Sequence, residues 1–576
     1  MKKTGAALAR FALEQIGVSH TFGIPGVHNT ELYDELNSSS QIKPVLVTHE
    51  VGGAFMADAM SRTGNTIGTL LIVPGAGVTH ASSGIGEAYL AGIPMLIVSG
   101  GIHTQSGHKY QLHDIDQHSL LAPITKGSFH IKSHAEVIPA LYAAYQLAMS
   151  GEPGPVFVEL PYNIGNFLGE VDSMPPFAGL DAAPTFDVAQ VQQAAQLLIE
   201  AQQVGFFVGW GAVDCEAELI DLAEYLNAPV ATTLQGLSAF PGNHPLHTGM
   251  GFGDYSVPAA QNALAKCDVL LAVGTRFAEI PTGSFSMQVP ENLIHIDINP
   301  EVFNANYPAK IAIEGDAAQV IPALLREVRR LQATAKQGHI AEQIKQDKKA
   351  YQQQWLSHKN TGRINPAQFF QALRKQMSDD TIVVADDGNH TYLVAELLPI
   401  LGARRYISPT DFNAMGYCVP ATIGAKLANP DTPVVGIVGD GALLMTGLEM
   451  LTAVQHQLGV VVFIFNDGEL SQIAQAQEIP YNRKTCTVLH RIDMQALAAT
   501  VGAEFISIAS EADIDKGITQ ALKFATNNQP VYVDVHIDYS KRTRFTKGIV
   551  KATVKRFAPR DKLRVISRAL IRKITG

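Results

Sequence analysis

The sequence is poor in features that would place it in several large classes. Its four cysteines, Cys215, Cys267, Cys418 and Cys486, are scattered over 576 residues at no metal-binding or redox spacing. This excludes a disulfide framework and a zinc ribbon, and suits a reducing cytoplasm with all four thiols structural. No apolar run approaches the length that crosses a membrane. No short-period repeat or low-complexity tract is present, which argues against solenoids and disordered scaffolds. The N-terminus, MKKTGAALARFALEQIG, has the outline of a signal peptide, but Arg10 and Glu14 break its apolar run. Leu8, Phe11, Ala12 and Ile16 predict an amphipathic first helix instead.

What is present is apolar content of 46%, enough for several cores, and a length that fits three domains. Residues 1–170 alternate strand-like runs (HTFGIP, PVLVTHE, IGTLLIVPG, PMLIVSG, PVFVELP) with helical stretches. A Pro-, Asp- and Gly-rich linker spans about 171–187. Residues 188–335 repeat the alternation with VGFFVGW, PVATTL, VLLAVGT and LIHIDI, and a Gln/Lys-rich helical connector covers about 336–362. Residues 364–540 carry TIVVADDG, PVVGIV, VVVFIF and PVYVDVHI. Such alternation predicts an α/β protein of three doubly wound parallel-sheet domains. The first and third look alike in plan, as expected of a duplicated core.

The organising stretch runs from Pro433 to Ile473. Two apolar β-branched strands flank a helix on which Leu444, Leu448, Leu451 and Val454 recur at helical spacing. Gly439-Asp440-Gly441 closes the first strand and Asn466-Asp467-Gly468 the second. Adjacent parallel strands bring both acidic turns to one sheet edge, where α/β folds bind ligands. Glycines there admit a phosphate to backbone N–H groups at a helix start. Asp440 and Asp467 offer the hard oxygens that Mg2+ takes together with phosphates. An ordinary βαβ unit with acidic turns fits these residues equally well.

GDG, 24 residues and then ND resembles the diphosphate fingerprint of thiamine diphosphate (ThDP) enzymes. The resemblance covers about residues 1–540 and is closest to the acetolactate-synthase-like branch, through GIPGVHNTELYDEL, GIGEAYLAGIPMLIVSGG, PGPVFVELP, GLSAFPGNHP, IHIDINP and MGYCVPATIGAKLANP. GIPGVHNTELYDEL with LHDIDQ also looks like bacterial 2-oxo acid decarboxylases. The resemblance implies ThDP and Mg2+ as cofactors, with pyrimidine-binding, middle and diphosphate-binding domains in that order. It implies Asp440, Asp467 and the carbonyl of Glu469 as metal ligands. The family often has NN here, which leaves Asn466 as the alternative to Asp467; the alignment of GDGALLMTGLEMLTA favours Asp467. FAD, held by some relatives in the middle domain, is left undecided by the sequence.

Glu50, in HEVGGAFMADAMSR, reads at the end of the strand PVLVTHE and matches the family's carboxyl on the pyrimidine N1′. A carboxyl there favours the imino tautomer, whose N4′ takes the thiazolium C2 proton, so the cofactor carries the hard chemistry. Glu50 and the diphosphate site lie on different domains that meet across subunits in the family, which implies a homodimer or a dimer of dimers. Met415 matches the residue that wedges the cofactor into its bent form, and the Asn413 backbone the acceptor from N4′. Asn389, His390, Gly439, Gly441, Ala442, Leu443 and Leu470, with Pro25 and Gly26 of the GIPG turn, complete the expected cofactor contacts. His28, His80 and His113 are the candidates for acid–base work at the reacting carbon. His113 stands where acetolactate synthases carry Gln, and His80 where Asn is usual.

Two departures bear on the substrate. Ile280 replaces an Arg that helps bind the second substrate, and Ala476, with Ile473 nearby, replaces the selectivity Trp. Losing a guanidinium removes a bidentate carboxylate partner, and losing Trp opens space. The expected reaction is decarboxylation of a 2-oxo acid larger or less polar than pyruvate, with carboligation as a further outcome. Acetolactate synthase is the first alternative and a 2-hydroxyacyl-CoA lyase the second. A degenerate scaffold is disfavoured, because Glu50, Asp440 and Asp467 are all present.

Charge is uneven. Residues 541–576 hold thirteen Lys/Arg against Asp561, about +12; the whole chain carries −10, so the rest carries about −22. In this tail Phe545, Ile549 and Val554 alternate with lysines before Pro559, and Leu563, Ile566, Leu570 and Ile571 with arginines after it. The pattern predicts two amphipathic helices and peripheral contact with an anionic membrane surface from the cytoplasm. Docking on the acidic body of its own dimer and a simply solvated basic extension are the competing expectations. With no recognised nucleic-acid fold and one aromatic per helix, nucleic acid is not the expected partner.

Overall fold

The computed structural model describes residues 1–182, 184–359 and 362–575. Three six-stranded parallel sheets form the body. In spatial order the first is Lys43–Leu46, His20–Gly23, Gly68–Ile72, Met95–Gly101, Pro155–Pro161 and Gly127–His130. The middle sheet is His247–Met250, Val230–Thr232, Val204–Val208, Val269–Val273, Asn292–Asp297 and Ile311–Glu314. The third is Tyr406–Ile407, Ile382–Ala385, Val434–Gly439, Val460–Phe465, Val531–Val535 and Glu504–Ile508. Numbered within each sheet, the first and third both run 2-1-3-4-6-5, whereas the middle runs 3-2-1-4-5-6. The predicted architecture is therefore the observed one, including the likeness of the first and third sheets.

Inner strands such as Gly68–Ile72 and Val460–Phe465 are buried at every residue, which is why they read as unbroken apolar runs. Within the three large sheets the strands that the sequence does not announce are edge strands, GSFH, HTGM, IAIE, YI and EFISI, and a further antiparallel pair, Lys2–Thr4 with Leu168–Glu170, is likewise unannounced. With one neighbour apiece, they need no continuous apolar pattern. The predicted first helix is Gly5–Gln15; of its expected apolar face Leu8 and Ala12 are buried, Ile16 is buried just past the helix end and Phe11 is partly buried.

The first and third domains pack through the helices Glu50–Thr63 and Cys418–Ala428. Gly424 permits the approach: a Cβ there would lie 2.3 Å from the Met56 carbonyl oxygen. Arg62, fully buried in this seam, donates to Asp58 at 2.7 Å and lies 4.0 Å from Glu87; Tyr417 Oη donates to Asp58 at 2.6 Å. Burying this arginine is tolerable because carboxylates meet it.

The tail folds back on the body. Its first helix, Arg544–Arg556, buries Phe545 between Tyr255 and Tyr392, and the Phe545 N–H donates to Glu396 at 2.9 Å. Arg556 pairs with Glu279 at 3.4 Å. The second helix, Pro559–Thr575, lies against Ser471–Tyr481, with Arg568 and Arg572 over the Tyr481 ring. Leu563, Ile566, Leu570 and Ile574 stay exposed on it, and the side chains of Ile549 and Val554 lie outside the described residues. Among the described residues no helix is long and apolar enough to cross a membrane.

Candidate active site

The two acidic turns meet as the spacing implies. Val434–Gly439 pairs in parallel with Val460–Phe465, with Gly439 opposite Phe465, so Asp440 and Asn466 begin adjacent loops. Asp440 Oδ1 accepts from the Gly441 N–H at 2.9 Å and Oδ2 from the Gly468 N–H at 2.7 Å. Burial and then the neighbouring Asp467 raise its carboxyl to about 6. Burial also raises Asp467, which accepts from Ser471 Oγ. Asn466 is turned away, its Nδ2 donating to Asp534 at 3.0 Å. Of the pair Asn466-Asp467, Asp467 is the one whose charge acts on Asp440. The antiparallel bridge between Glu469 and Val488 uses the Gly468 carbonyl and the Leu470 N–H, and no backbone hydrogen bond among the described residues takes the Glu469 carbonyl. The Glu469 side chain is held outward by Lys484 at 2.6 Å. Gly441 lets the Leu470 side chain lie close, since a Cβ there would be 2.3 Å from Leu470 Cδ2 and would make that side chain shift.

Beside this cleft the helix Asn389–Leu397 begins after Gly388, whose φ of 150° suits glycine. Asn389 Nδ2 and His390 Nε2 are buried without a hydrogen-bond partner. Burial pushes His390 down to about 3, so the ring is neutral. Buried polar atoms are almost always satisfied, and two orphans at one helix start fit a missing anionic ligand. Together with the two confined aspartates, they fit a diphosphate with its cation. Ala442 and Leu443 are buried on the helix Asp440–Thr446.

The segment around Met415 is fixed by residues that the sequence reading missed. Asp386 accepts from the Gly416 and Cys418 N–H groups at 2.9 and 2.8 Å. Glu87, from the first domain, accepts from the Thr410 and Ala414 N–H groups at 3.2 Å each. Burial raises Asp386 and Glu87 to about 7 each. Because the Ala414 N–H points at Glu87, the trans peptide turns the Asn413 carbonyl to the opposite side. Asn413 takes a left-handed φ of 57°, a conformation asparagine tolerates. Met415 is half-buried against the shared core. Asp386 stands in TIVVADDG and Glu87 in GIGEAYLAG, where neither is marked by its local pattern.

Glu50 needs a correction. It does not end a strand: the strand stops at Leu46, and Glu50 is the first residue of the helix Glu50–Thr63, capped by His49. Thr48 leaves the strand because its N–H and hydroxyl both donate to Glu449 of the third domain. Glu50 is 7% exposed, and Oε2 lies 2.9 Å from His80 Nδ1. His80 stacks on His49 with ring centres 4.6 Å apart. His28 and His113 form a second pair, edge to face at 5.3 Å. Burial, then His113, lowers His28. The PGAG turn joins the pairs: a Cβ on Gly75 would lie 3.5 Å from His113 Nδ1, and one on Gly77 3.5 Å from Glu50 Oε1. Pro25 is exposed, and Gly26 donates its N–H to Asn29 at 2.7 Å in the loop that presents His28.

Among the described residues no hydrogen bond or ion pair connects Glu50 or the histidines with Asp440 and Asp467. Between the turns the structure has two short helices, Asp440–Thr446 and Met450–Gln455, joined by a 3-10 turn at Gly447–Glu449, instead of the single helix expected. Leu444, Leu448 and Leu451 are 43–54% exposed there, and Met445 is 56% exposed. Helical spacing reports an apolar face but not which body covers it. Ile473 and Ala476 are exposed on Ser471–Tyr481, and Ile280 is half-buried against the middle core.

Comparison with known proteins finds a match for each of the three domains. Residues 2–120 match the N-terminal TPP binding domain of thiamine pyrophosphate enzymes, residues 191–324 the central domain, and residues 386–535 the C-terminal TPP binding domain. The chain is 31% identical over 548 residues to acetolactate synthase isozyme 3 large subunit of Escherichia coli (strain K12), covering 93% of this chain and 95% of that protein. It is likewise 31% identical to a probable acetolactate synthase large subunit of Methanocaldococcus jannaschii, covering 93% and 92%, and to an acetolactate synthase of Arthrospira platensis, covering 93% and 94%. Family matches over most of the chain and end-to-end likeness to these enzymes lead to one conclusion: the chain belongs to the thiamine pyrophosphate (ThDP) enzyme family.

Proposed function

We propose that this ThDP enzyme is an acetolactate-synthase-like carboligase, which decarboxylates a 2-oxo acid and joins the remaining acyl unit to a second carbonyl compound. The observation that carries the reading is the likeness along 93% of the chain to proteins named acetolactate synthase. It favours carboligation over simple decarboxylation of a large 2-oxo acid, the reaction the sequence suggested first. ThDP, when bound, supplies a nucleophilic carbon and an electron sink for CO2 loss.

The chain's own residues divide the remaining work. Asp440, Asp467 and the Glu469 carbonyl would hold Mg2+, the last free of backbone partners in the bridge it belongs to. Asn389 Nδ2 and His390 Nε2 would meet diphosphate oxygens, ending their isolation. Glu50 would bond the pyrimidine through Oε1, since His80 already takes Oε2. His28 and His113 would exchange protons with the substrate oxygen. The exposed apolar face of Leu444, Met445, Leu448 and Leu451 supports a second copy of the chain covering this edge. Ile280 and Ala476 support an acceptor without a carboxylate to clamp. The tail's second helix, docked on the element bearing Ile473 and Ala476, supports a role in the cleft wall; its exposed apolar residues support surface contact. The middle sheet's 3-2-1-4-5-6 order supports a nucleotide-sized cofactor, and a yellow purified protein would identify a flavin.

The test is product analysis with pyruvate and bulkier 2-oxo acids, alone and with aldehyde acceptors. A 2-hydroxy ketone made from the aldehyde acceptor and formed with CO2 is the expected result, and acetolactate as the main product would show that a carboxylate-bearing acceptor is used. Free aldehyde as the sole product would return the assignment to a decarboxylase.

A further inference from the structure

Away from the cofactor cleft, the first domain gathers two imidazoles and a carboxylate. His118 lies on the short helix Gln117–Leu121, His130 ends the edge strand Gly127–His130, and Glu159 lies on the neighbouring strand Pro155–Pro161. The parallel register sets His130 directly opposite Glu159, which puts both side chains on one face at one level. Phe157, two residues before Glu159 on the same face, meets the His118 ring edge to face at 5.1 Å and fixes its position. Gly101 makes room for the carboxylate, since a Cβ there would lie 2.4 Å from Glu159 Oε1.

The three donor atoms form a compact triangle. His118 Nε2 and Glu159 Oε2 are 3.0 Å apart, His130 Nδ1 and Glu159 Oε2 3.7 Å, and the two nitrogens 3.4 Å. Ligands about 2.0–2.1 Å from a tetrahedral ion stand about 3.3 Å from one another, so the triangle already has the size of one face of such a shell. The glutamate side chain is 9% exposed, whereas the histidines are 26% and 37% exposed. The fourth side therefore opens to water, the pattern of three protein ligands and one exchangeable position.

We propose that His118, His130 and Glu159 bind a divalent transition-metal ion of the Zn2+ class. Imidazole with carboxylate suits such borderline ions, whereas Mg2+ prefers oxygen alone. The ion would pin the segment that follows the His113 loop to the first sheet. Gln117, beside His118, already holds the end of strand Met95–Gly101 through Ser99 at 3.0 Å and the Gly100 carbonyl at 3.3 Å. A plain imidazolium–carboxylate cluster is the competing arrangement, and it takes up no metal.

The experiment is Zn2+ titration of the full chain by calorimetry, with ThDP and Mg2+ saturating, followed by Co2+ absorption spectroscopy. Wild type is expected to take one tight equivalent and to give the intense visible bands of a four-coordinate Co2+ site. His130→Ala and Glu159→Gln should each weaken that equivalent at least 100-fold while far-UV circular dichroism stays unchanged. His118→Ala, on an exposed helix, repeats the test if either variant fails to fold. His80→Ala should keep the equivalent, because the His49–Glu50–His80 group is a separate cluster. The proposal is overturned if wild type binds no tight equivalent, if His130→Ala and Glu159→Gln bind it normally, or if it disappears with His80→Ala.

Discussion

At the carboxyl end of the first sheet stand Glu50, His28, His80 and His113. At the same end of the third sheet, built with the identical strand order, stand Asp440, Asp467, Asn389 and a set of glycines. The first set can move protons, and the second can hold a charged phosphate and its counter-ion. Shared topology has fixed where a site can form; the loops have fixed which chemistry it carries. The domains also differ in what they expose, since the third presents Leu444, Met445, Leu448 and Leu451 beside its cleft. Two unlike half-sites, with no hydrogen bond among the described residues between Glu50 or its histidines and Asp440 or Asp467, account for that apolar face if each is completed by the other's partner copy.

The sharpest way to separate the halves is to damage one at a time. Glu50→Gln keeps the helix start and the shape of the side chain but loses the acid. Turnover should fall by about 10²–10⁴-fold while ThDP affinity stays near wild type, as expected for lost proton transfer. Steady-state kinetics beside calorimetric ThDP titration read both quantities, and a loss confined to affinity would place Glu50 in binding instead.

The mirror experiment is on the third domain. Asp440→Ala removes a carboxylate with two backbone donors and an Asp467 neighbour, whereas Asn389→Ala removes one amide. ThDP affinity with Mg2+ present should fall at least about tenfold further in the first variant, the difference between a charged ligand and one polar contact. Equal losses would contradict the metal half of the site.

A smaller effect is expected where the domains touch. Burial raises Glu87 from the ordinary 4.5 to about 7, against the opposing pull of Arg62 and of the Ala414 and Thr410 N–H groups that it accepts from. The folded chain thus holds more protons than the unfolded chain between those values, and this contribution to stability falls as pH rises from about 4.5 through 7. Glu87→Gln should remove that slope. Between about pH 5 and pH 8 the wild-type Tm should drop about 2–4 °C more than that of the variant. Parallel Tm curves by scanning calorimetry would show that Glu87 titrates alike in both states.

Much of this was legible in the sequence for physical reasons. Inner strands bury both faces and announce themselves as apolar runs, and GDG with ND carries its own spacing. The edge strands GSFH and YI were silent because half their neighbours are missing. The spacing of Leu444, Leu448 and Leu451 announced helix but not what covers it, since periodicity is the same for a core as for a surface awaiting a partner. Asp386 and Glu87 act on backbone N–H groups distant in sequence, which no local motif reveals. The tail's helices and basic charge were readable; its docking on Tyr255, Tyr392 and Tyr481 depended on the fold.

The central claim is that Glu50 of one copy serves the Asp440–Asp467 cleft of another. Mixing inactive Glu50→Gln with inactive Asp440→Ala chains, by co-expression with two tags, tests it most directly. Random pairing makes half the dimers mixed, and each mixed dimer has one site with both residues intact, so activity should return to about a quarter of wild type. Purified mixed dimers no more active than either parent would contradict the claim and place the whole site within one chain.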